Sequence, residues 1–552
     1  MLPELTNEQK AWVEHTLNEL TVEQKVGHLL CPEDRKYSPE DWKDIIQKYN
    51  IGTAFLLKQP EEIIRKKTKI IQKSGPIPLL IAGDLEHGNQ VCEDTGTIFP
   101  WSMAQAATGD PESAYKTGVA TGIEGRDCGI NWTYAPVTDL NYNYMNGVTM
   151  LRSYGDNPEH TRAMSEAFIK GIQQDGRIAA TPKHFPGDGV DSRDQHRVTS
   201  LNTLPFRQWE ETYGKVWKGV IDAGAFSIMI GHIGLPDYEI PGEDPEKALP
   251  ATLSYKLQSE LLRKHLGFTG LIVSDAAPMI GMTTRVTADR QAVEFILAGG
   301  DNYLFARPKE DYHLLLEAVK NGTVPEEILE DRVRHVLECK ARLNLHDESK
   351  VFGTQATKEQ ILIHRGWAKE IAEKALTVLR KPEGGVPDLK PGDPVLTITV
   401  QRQDINDDKD PTGPFDQTLS DAGLRVEHLY NPGHPVIFKT LEAREFTAVF
   451  VNLVVVSKAC IGIHHLGSNV MNFWRTFYAG RENCYFTSLG SPYMLRELPS
   501  LPNLVCTFGD DPSSQEAAAA YWLGKLEAPG KCPVKLPKAR IAPLGELIYE
   551  MK

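Results

Sequence analysis

The chain is predicted to fold as a (β/α)8 TIM-type barrel followed by a smaller three-layer α/β sandwich domain. Three observations lead there. Up to about residue 345, short apolar strand-like runs alternate with longer amphipathic stretches, the pattern that βα units produce. Almost every one of those runs is followed by a charged or polar cluster, which is where a parallel barrel carries its chemistry. Past residue 390, a second set of β-branched runs begins after a Pro/Gly-rich break. A doubly wound sheet shows the same alternation, but the strand count favours the barrel. At 552 residues the chain also exceeds one ordinary core.

The elements follow in order. Met1 to Leu20 reads as an amphipathic helix and lacks the basic and apolar regions of a secretory signal, so a cytoplasmic protein is expected. Thr21-Val-Glu-Gln24 is a capping box that opens a helix with the apolar run Val26, Leu29, Leu30. The barrel strands are then sought in Gly52–Leu57, Pro78–Gly83, Asn131–Pro136, Ile178–Thr181, Phe226–Ile230, Leu271–Ser274 and Asn302–Phe305. Their polar companions are Asp84-Leu-Glu86-His87, Asp139, Lys183-His184, His232 and Asp275, with Asp301 ahead of the last strand. From 346 to 389 the pattern is helical (Lys369 to Leu379) and then breaks at Lys381-Pro-Glu-Gly-Gly-Val-Pro387, a natural linker. The expected division is therefore a barrel over 1–345, a helical segment and linker over 346–389, and an α/β domain over 390–552. Strands of that last domain are expected at Pro394–Val400, Phe446–Val456, Asn483–Leu489 and Leu504–Phe508.

Composition excludes several classes. The proportions of hydrophobic (41%) and charged (24%) residues are those of a globular protein, and no apolar run reaches the roughly 20 residues that span a bilayer. A formal net charge of -14 opposes nucleic acid and anionic lipid as partners, though a local basic pocket for one anion stays open. The eight cysteines are far apart with no C-x-x-C pair, as expected of reduced thiols, and no zinc site is expected.

The densest chemistry lies in Lys183-His-Phe-Pro-Gly-Asp-Gly-Val-Asp-Ser-Arg-Asp-Gln-His196. A strand-like run, Arg177-Ile-Ala-Ala-Thr181, leads into it, and Pro186, Gly187 and Gly189 forbid a helix, so polar side chains project from a strand end. Asp194 and His196 are close enough for the carboxylate to orient and charge-stabilise the imidazole, an acid/base dyad. A lone D-x-H triplet is more often a surface turn; the fourteen-residue string is far more specific.

That string resembles the catalytic loop of glycoside hydrolase family 3, in its β-N-acetylglucosaminidase branch, whose pattern is KH-F-P-G-x-G followed by D-x-H. The segment Gly490 to Pro537 is similar to the C-terminal α/β domain of many members of the family, so the resemblance covers nearly the whole chain. It implies a retaining, exo-acting enzyme on terminal β-linked N-acetylglucosamine, with no metal or organic cofactor. By the match to Ser274-Asp275, the nucleophile is Asp275, where the bland alternative is a helix cap. By the match to D-x-H, His196 is the acid/base and Asp194 its orienting partner. Substrate binding falls to Asp84, Arg152, Lys183 and His184. Arg152 also has Asp156 within reach as an ion-pair partner, and His232 reads slightly better as a satisfied strand-end histidine.

Two departures from the family pattern stand out. Where hydrolases usually read D-x-E-G-G-R, this chain has Asp84-Leu-Glu86-His87-Gly-Asn89, so the familiar arginine is missing and His87 or Asn89 is the candidate replacement. Asp188 replaces the histidine of the G-H-G form, which is read as a mark of relatives that are phosphorylases. A neutral imidazole base tolerates phosphate where a carboxylate base repels it, so water and inorganic phosphate are both open as acceptor. A β-glucosidase and an inactive carbohydrate-binding protein are the remaining alternatives. The aglycone and the choice between monomer and homodimer are not set by the sequence.

Overall fold

The computed structural model describes residues 1–401, 410–457, 460, 462, 465–466, 483–499, 501–536, 538–541 and 547–550. Eight parallel strands close on themselves: β1 (Leu30–Cys31), β2 (Thr53–Phe55), β3 (Leu80–Gly83), β4 (Trp132–Thr133), β5 (Ala179–Ala180), β6 (Ser227–Ile230), β7 (Leu271–Ser274) and β8 (Tyr303–Leu304). Ladders join β2 to β5 in sequence order and β6 to β7. Single bridges at Glu33/Phe55, Phe185/Ile230 and Val273/Asn302 continue the round, and Leu30 opposite Tyr303 closes it. The barrel is filled, not hollow. Trp132 Nε1 lies 2.8 Å from both Thr181 Oγ1 and Ser227 Oγ, so the largest interior side chain has its one donor satisfied.

Seven of these strands lie within the predicted runs; β1 does not. Thr21 and Gln24 do form the reciprocal capping box, but the helix it opens ends at His28. Leu30, expected on that helix, is the first barrel strand instead. A two-residue strand buried on all sides has no alternation, so local periodicity cannot separate it from the helix before it. Asp301 is where the sequence puts it, ahead of the last strand. It precedes β8, at the mouth opposite the other polar residues, and is held by Arg263 (2.6 Å) and His335 (2.9 Å).

After the helix Lys358–Ala375, a second sheet of six strands begins: β9 (Thr377–Arg380), β10 (Pro394–Gln401), β11 (Arg425–Tyr430), β12 (Ala448–Val455), β13 (Cys484–Gly490) and β14 (Leu504–Cys506). Their spatial order is β9-β14-β13-β12-β10-β11, parallel except for β9. Side chains of the central strands alternate between two apolar layers. Val395, Phe450 and Val505 face the helices Gly413–Asp421 and Pro512–Trp522, while Leu396, Ile398, Val449 and Val451 pack with Ile437 and Leu441 of His434–Ala443. This is the three-layer sandwich. β9 overlaps the end of the stretch read as helix over Lys369 to Leu379. Helical apolar spacing carried past Ala375, and only pairing with β14 makes Thr377–Arg380 a strand. β11 was not anticipated: it is an edge strand, partly exposed, and carries no apolar run. Ser500 and Pro537, in the segment compared with the family's second domain, lie outside the described residues.

The two domains share one packed seam. Met103, Ala104, Ala107, Met150 and Leu151 of the barrel side cluster with Tyr493, Cys506, Phe508 and Val534. Asn141 Nδ2 donates to Tyr493 Oη at 3.0 Å and the Leu151 amide to Ser457 Oγ at 3.0 Å across the same seam.

Candidate active site

Every candidate sits beyond the C-terminal end of a barrel strand. Asp84 and Glu86 follow β3, Asp139 follows β4, the loop 183–196 follows β5, His232 follows β6 and Asp275 follows β7. The loop after β5 is held open by two glycines in left-handed conformations that a side chain would forbid. A Cβ on Gly189 (φ 102°) would lie 1.9 Å from Leu140 O, and one on Gly187 (φ 128°) 2.1 Å from the Tyr213 ring. That close packing turns the chain back so that its polar residues line the barrel mouth.

Asp275 is anchored by its own backbone, whose amide donates to Ile230 O at 2.9 Å, while its Oδ1 accepts from the Ala276 amide at 2.7 Å. Burial alone would raise its pKa; His184, His232 and His196 outweigh burial and keep the carboxyl below the ordinary range. His184 Nε2 lies 3.9 Å from Asp275 Oδ2, and its Nδ1 is 2.7 Å from Asp139 Oδ2, which assigns the proton on Nδ1 to that bond. Asp139 therefore fixes the ring of a residue that faces the nucleophile candidate.

His196 and Asp194 form the expected dyad, with Nδ1 2.6 Å from Oδ1 and the His196 amide on the same oxygen at 2.8 Å. The other Asp194 oxygen accepts from the Cys460 amide of the second domain at 3.1 Å. Burial opposes a cationic imidazole, yet the Asp194 bond and the charges of Asp194 and Asp275 raise its pKa above the ordinary value. Asp194 is correspondingly lowered, by His196 against its own burial. His196 and Asp275 thus feel each other's charge. The segment after Asp275 ties them mechanically: the Ile280 amide donates to His196 O (3.2 Å) and Gly281 to Gln195 O (3.1 Å).

The remaining candidates form a charged cradle. Lys183 Nζ lies 2.8 Å from Glu86 Oε1 and 3.2 Å from Asp84 Oδ1, and Arg152 grips both oxygens of Glu86 at 2.6 and 2.9 Å. Against the cost of burial, Arg152 and Lys183 hold Glu86 far below the usual carboxylate range. Arg152 therefore pairs with Glu86 and not with Asp156, which accepts from the Lys535 amide instead. Asp84 alone of this group is exposed, with half its side chain open to the mouth. Its Oδ1 is the oxygen that faces Lys183.

The structure brings all seven predicted site residues to one rim and adds Glu86 and Asp139. Both stood in the sequence at strand ends, and the D-x-E spacing was the signal for Glu86. His232 is a satisfied histidine: Nδ1 is 3.0 Å from Thr252 Oγ1 and Nε2 3.0 Å from Ala276 O. His87 and Asn89 do not replace the missing arginine. His87 is buried against Trp101, with Phe99 O at 2.9 Å, and Asn89 turns inward onto Glu124 O and Cys128 Sγ. Asp188 is buried beside Asp139, and burial together with that neighbouring charge pushes its carboxyl up to about 7.

A filled parallel barrel with carboxylates and histidines converging at the C-terminal ends of its strands is a barrel-enzyme site. Residues 21–339 match the glycosyl hydrolase family 3 N-terminal domain. The chain is 30% identical over 553 residues to a beta-N-acetylglucosaminidase/beta-glucosidase of Cellulomonas fimi, covering 95% of each. Among solved structures it is similar to a beta-glucoside phosphorylase, BglX, bound to 2FGlc (TM-score 0.87, 28% identity, 96% of this chain and 97% of that one). It is also similar to a family 3 beta-N-acetylglucosaminidase from Paenibacillus sp. str. FPU-7 (TM-score 0.80, 26% identity, 94% and 99%). The chain belongs to glycosyl hydrolase family 3, and is an enzyme of glycosidic bonds.

Proposed function

We propose that this enzyme removes terminal β-linked N-acetylglucosamine with retention, through a covalent glycosyl-Asp275 intermediate. The observation that carries the reading is the Asp194–His196 dyad, hydrogen-bonded through its backbone to the segment that follows Asp275 and within electrostatic reach of that carboxylate. Asp275 attacks the anomeric carbon while cationic His196 protonates the departing oxygen. Neutral His196 then takes a proton from water as the second bond forms, and Asp194 holds the ring in one orientation through both steps. Asp84, Lys183 and Arg152 bind sugar hydroxyls, with Glu86 fixing the two cations. The named activities of the Cellulomonas and Paenibacillus relatives support the choice of sugar.

Inorganic phosphate as acceptor is favoured by one feature of the chain. A cavity of about 450 Å³ beside the dyad is lined by Ser192, Arg193, Asp194, Arg197 and Val198. Arg197 brings a cation to that lining. A neutral base with a cation near it suits an anionic acceptor, and the BglX relative is named for that chemistry.

One experiment tests both. Nitrophenyl N-acetylglucosaminide is turned over with and without phosphate, and the products are separated as free sugar and sugar 1-phosphate. Preference for nitrophenyl glucoside would overturn the choice of sugar. A rate and product independent of phosphate would dismiss the phosphorylase reading.

A further inference from the structure

The loop that departs from the family pattern also holds two thiols together. Cys92, in the loop after β3, and Cys128, which caps the helix Glu112–Asp127, lie with their sulfurs 3.0 Å apart, and both are buried. Asn89, standing where the family's arginine is missing, donates to Cys128 Sγ at 3.5 Å and to Glu124 O at 3.3 Å. The side chain at that position therefore points at the thiol pair and not into the sugar cradle. The same loop is pinned by the Thr97 amide on Glu124 Oε2 at 2.7 Å, and Glu124 Oε1 is bonded to His364 of the following helical segment.

We propose that Cys92 and Cys128 are a redox-active pair that closes to a reversible disulfide, latching the loop that carries Asp84 and Glu86 to the barrel helix behind it. Cys128 is the attacking sulfur: Asn89 Nδ2 donates to it at 3.5 Å, and Arg65, bonded to neighbouring Asp127, adds a positive charge that favours its thiolate. With a hydroperoxide as oxidant, the Cys128 thiolate attacks one oxygen, the O–O bond breaks, and a sulfenic acid and hydroxide result. Cys92 then attacks that sulfur, the S–O bond breaks, and the second oxygen leaves as water with the Cys92 proton. Two thiols and one hydrogen peroxide give one disulfide and two waters. The sulfurs approach by only about 1 Å on closing to a bond of ~2.05 Å, so the cradle stays in place. Closure acts on the loop's resistance to opening.

The test uses the full chain treated with hydrogen peroxide, then denatured, alkylated and mapped by mass spectrometry, with exposed Cys460 as internal control for oxidant exposure. The expected result is a Cys92–Cys128 linked peptide, two hydrogen masses lighter than its parts and restored by dithiothreitol. The unfolding midpoint rises by several degrees and kcat/KM is unchanged; Cys92→Ser and Cys128→Ser lose the rise. Recovery of both peptides separately alkylated from protein whose Cys460 is oxidised would overturn the proposal. So would a rise in the midpoint that survives Cys92→Ser. The mapping needs no substrate, so it stands or falls apart from the choice of sugar.

Discussion

His196 and Asp194 set what one proton can do. The first step needs cationic His196, whose population falls as pH rises through its pKa, and Asp194 places that pKa above the ordinary value of about 6.5. The alkaline limb of kcat/KM is therefore expected above pH ~6.5. Asp194→Asn removes the stabilising charge, and the limb moves to lower pH; a pH–rate profile checks this. Asp275 must be ionised, and its lowered pKa keeps the acid limb low. His196→Ala is expected to cut turnover by ~10²–10⁴, with the smallest loss for nitrophenyl leaving groups that depart without a proton. Arg152→Ala leaves Glu86 buried with Lys183 alone; the expected cost is ~3 kcal/mol in stability by chemical denaturation.

At the scale of elements, the loop after β5 does the positioning. Gly189→Ala asks an L-residue to keep φ near 102° with its Cβ on Leu140 O. It is expected to cost ~2 kcal/mol or more and to lower kcat, read by denaturation and by turnover of the folded fraction. This loop was legible because Pro186, Gly187 and Gly189 announce themselves and because its polar residues are contiguous. β1 was not legible: two buried residues after a helix carry no period of their own. β9 was hidden for the related reason that its strand character comes from β14, more than a hundred residues away. The family's missing arginine could be seen in the sequence, but where Asn89 turned instead could not, since that depends on Glu124 and Cys128 packed against it.

At the scale of the whole molecule, the second domain reaches the site. Cys460 donates its amide to Asp194, and Tyr493 and Phe508 cover apolar barrel residues at Met103 and Leu151. With such a shared seam the two domains are expected to unfold together, in one calorimetric transition. A chain ended at residue 389 would bare that cluster and is expected to aggregate, as light scattering would show.

The sequence by itself determined the alternating architecture, the strand ends that bear polar groups and the loop with its D-x-H dyad. These rest on local features: periodicity of two against 3.6, the backbone demands of Gly and Pro, and residues adjacent in the chain. Only the tertiary structure decided that Arg152 pairs with Glu86, that Asp139 orients His184, that His87 and Asn89 turn away from the cradle, and that a second-domain amide steadies Asp194. Such contacts join residues tens to hundreds of positions apart, and a side chain's partner there is fixed by barrel closure and packing, which no local pattern encodes.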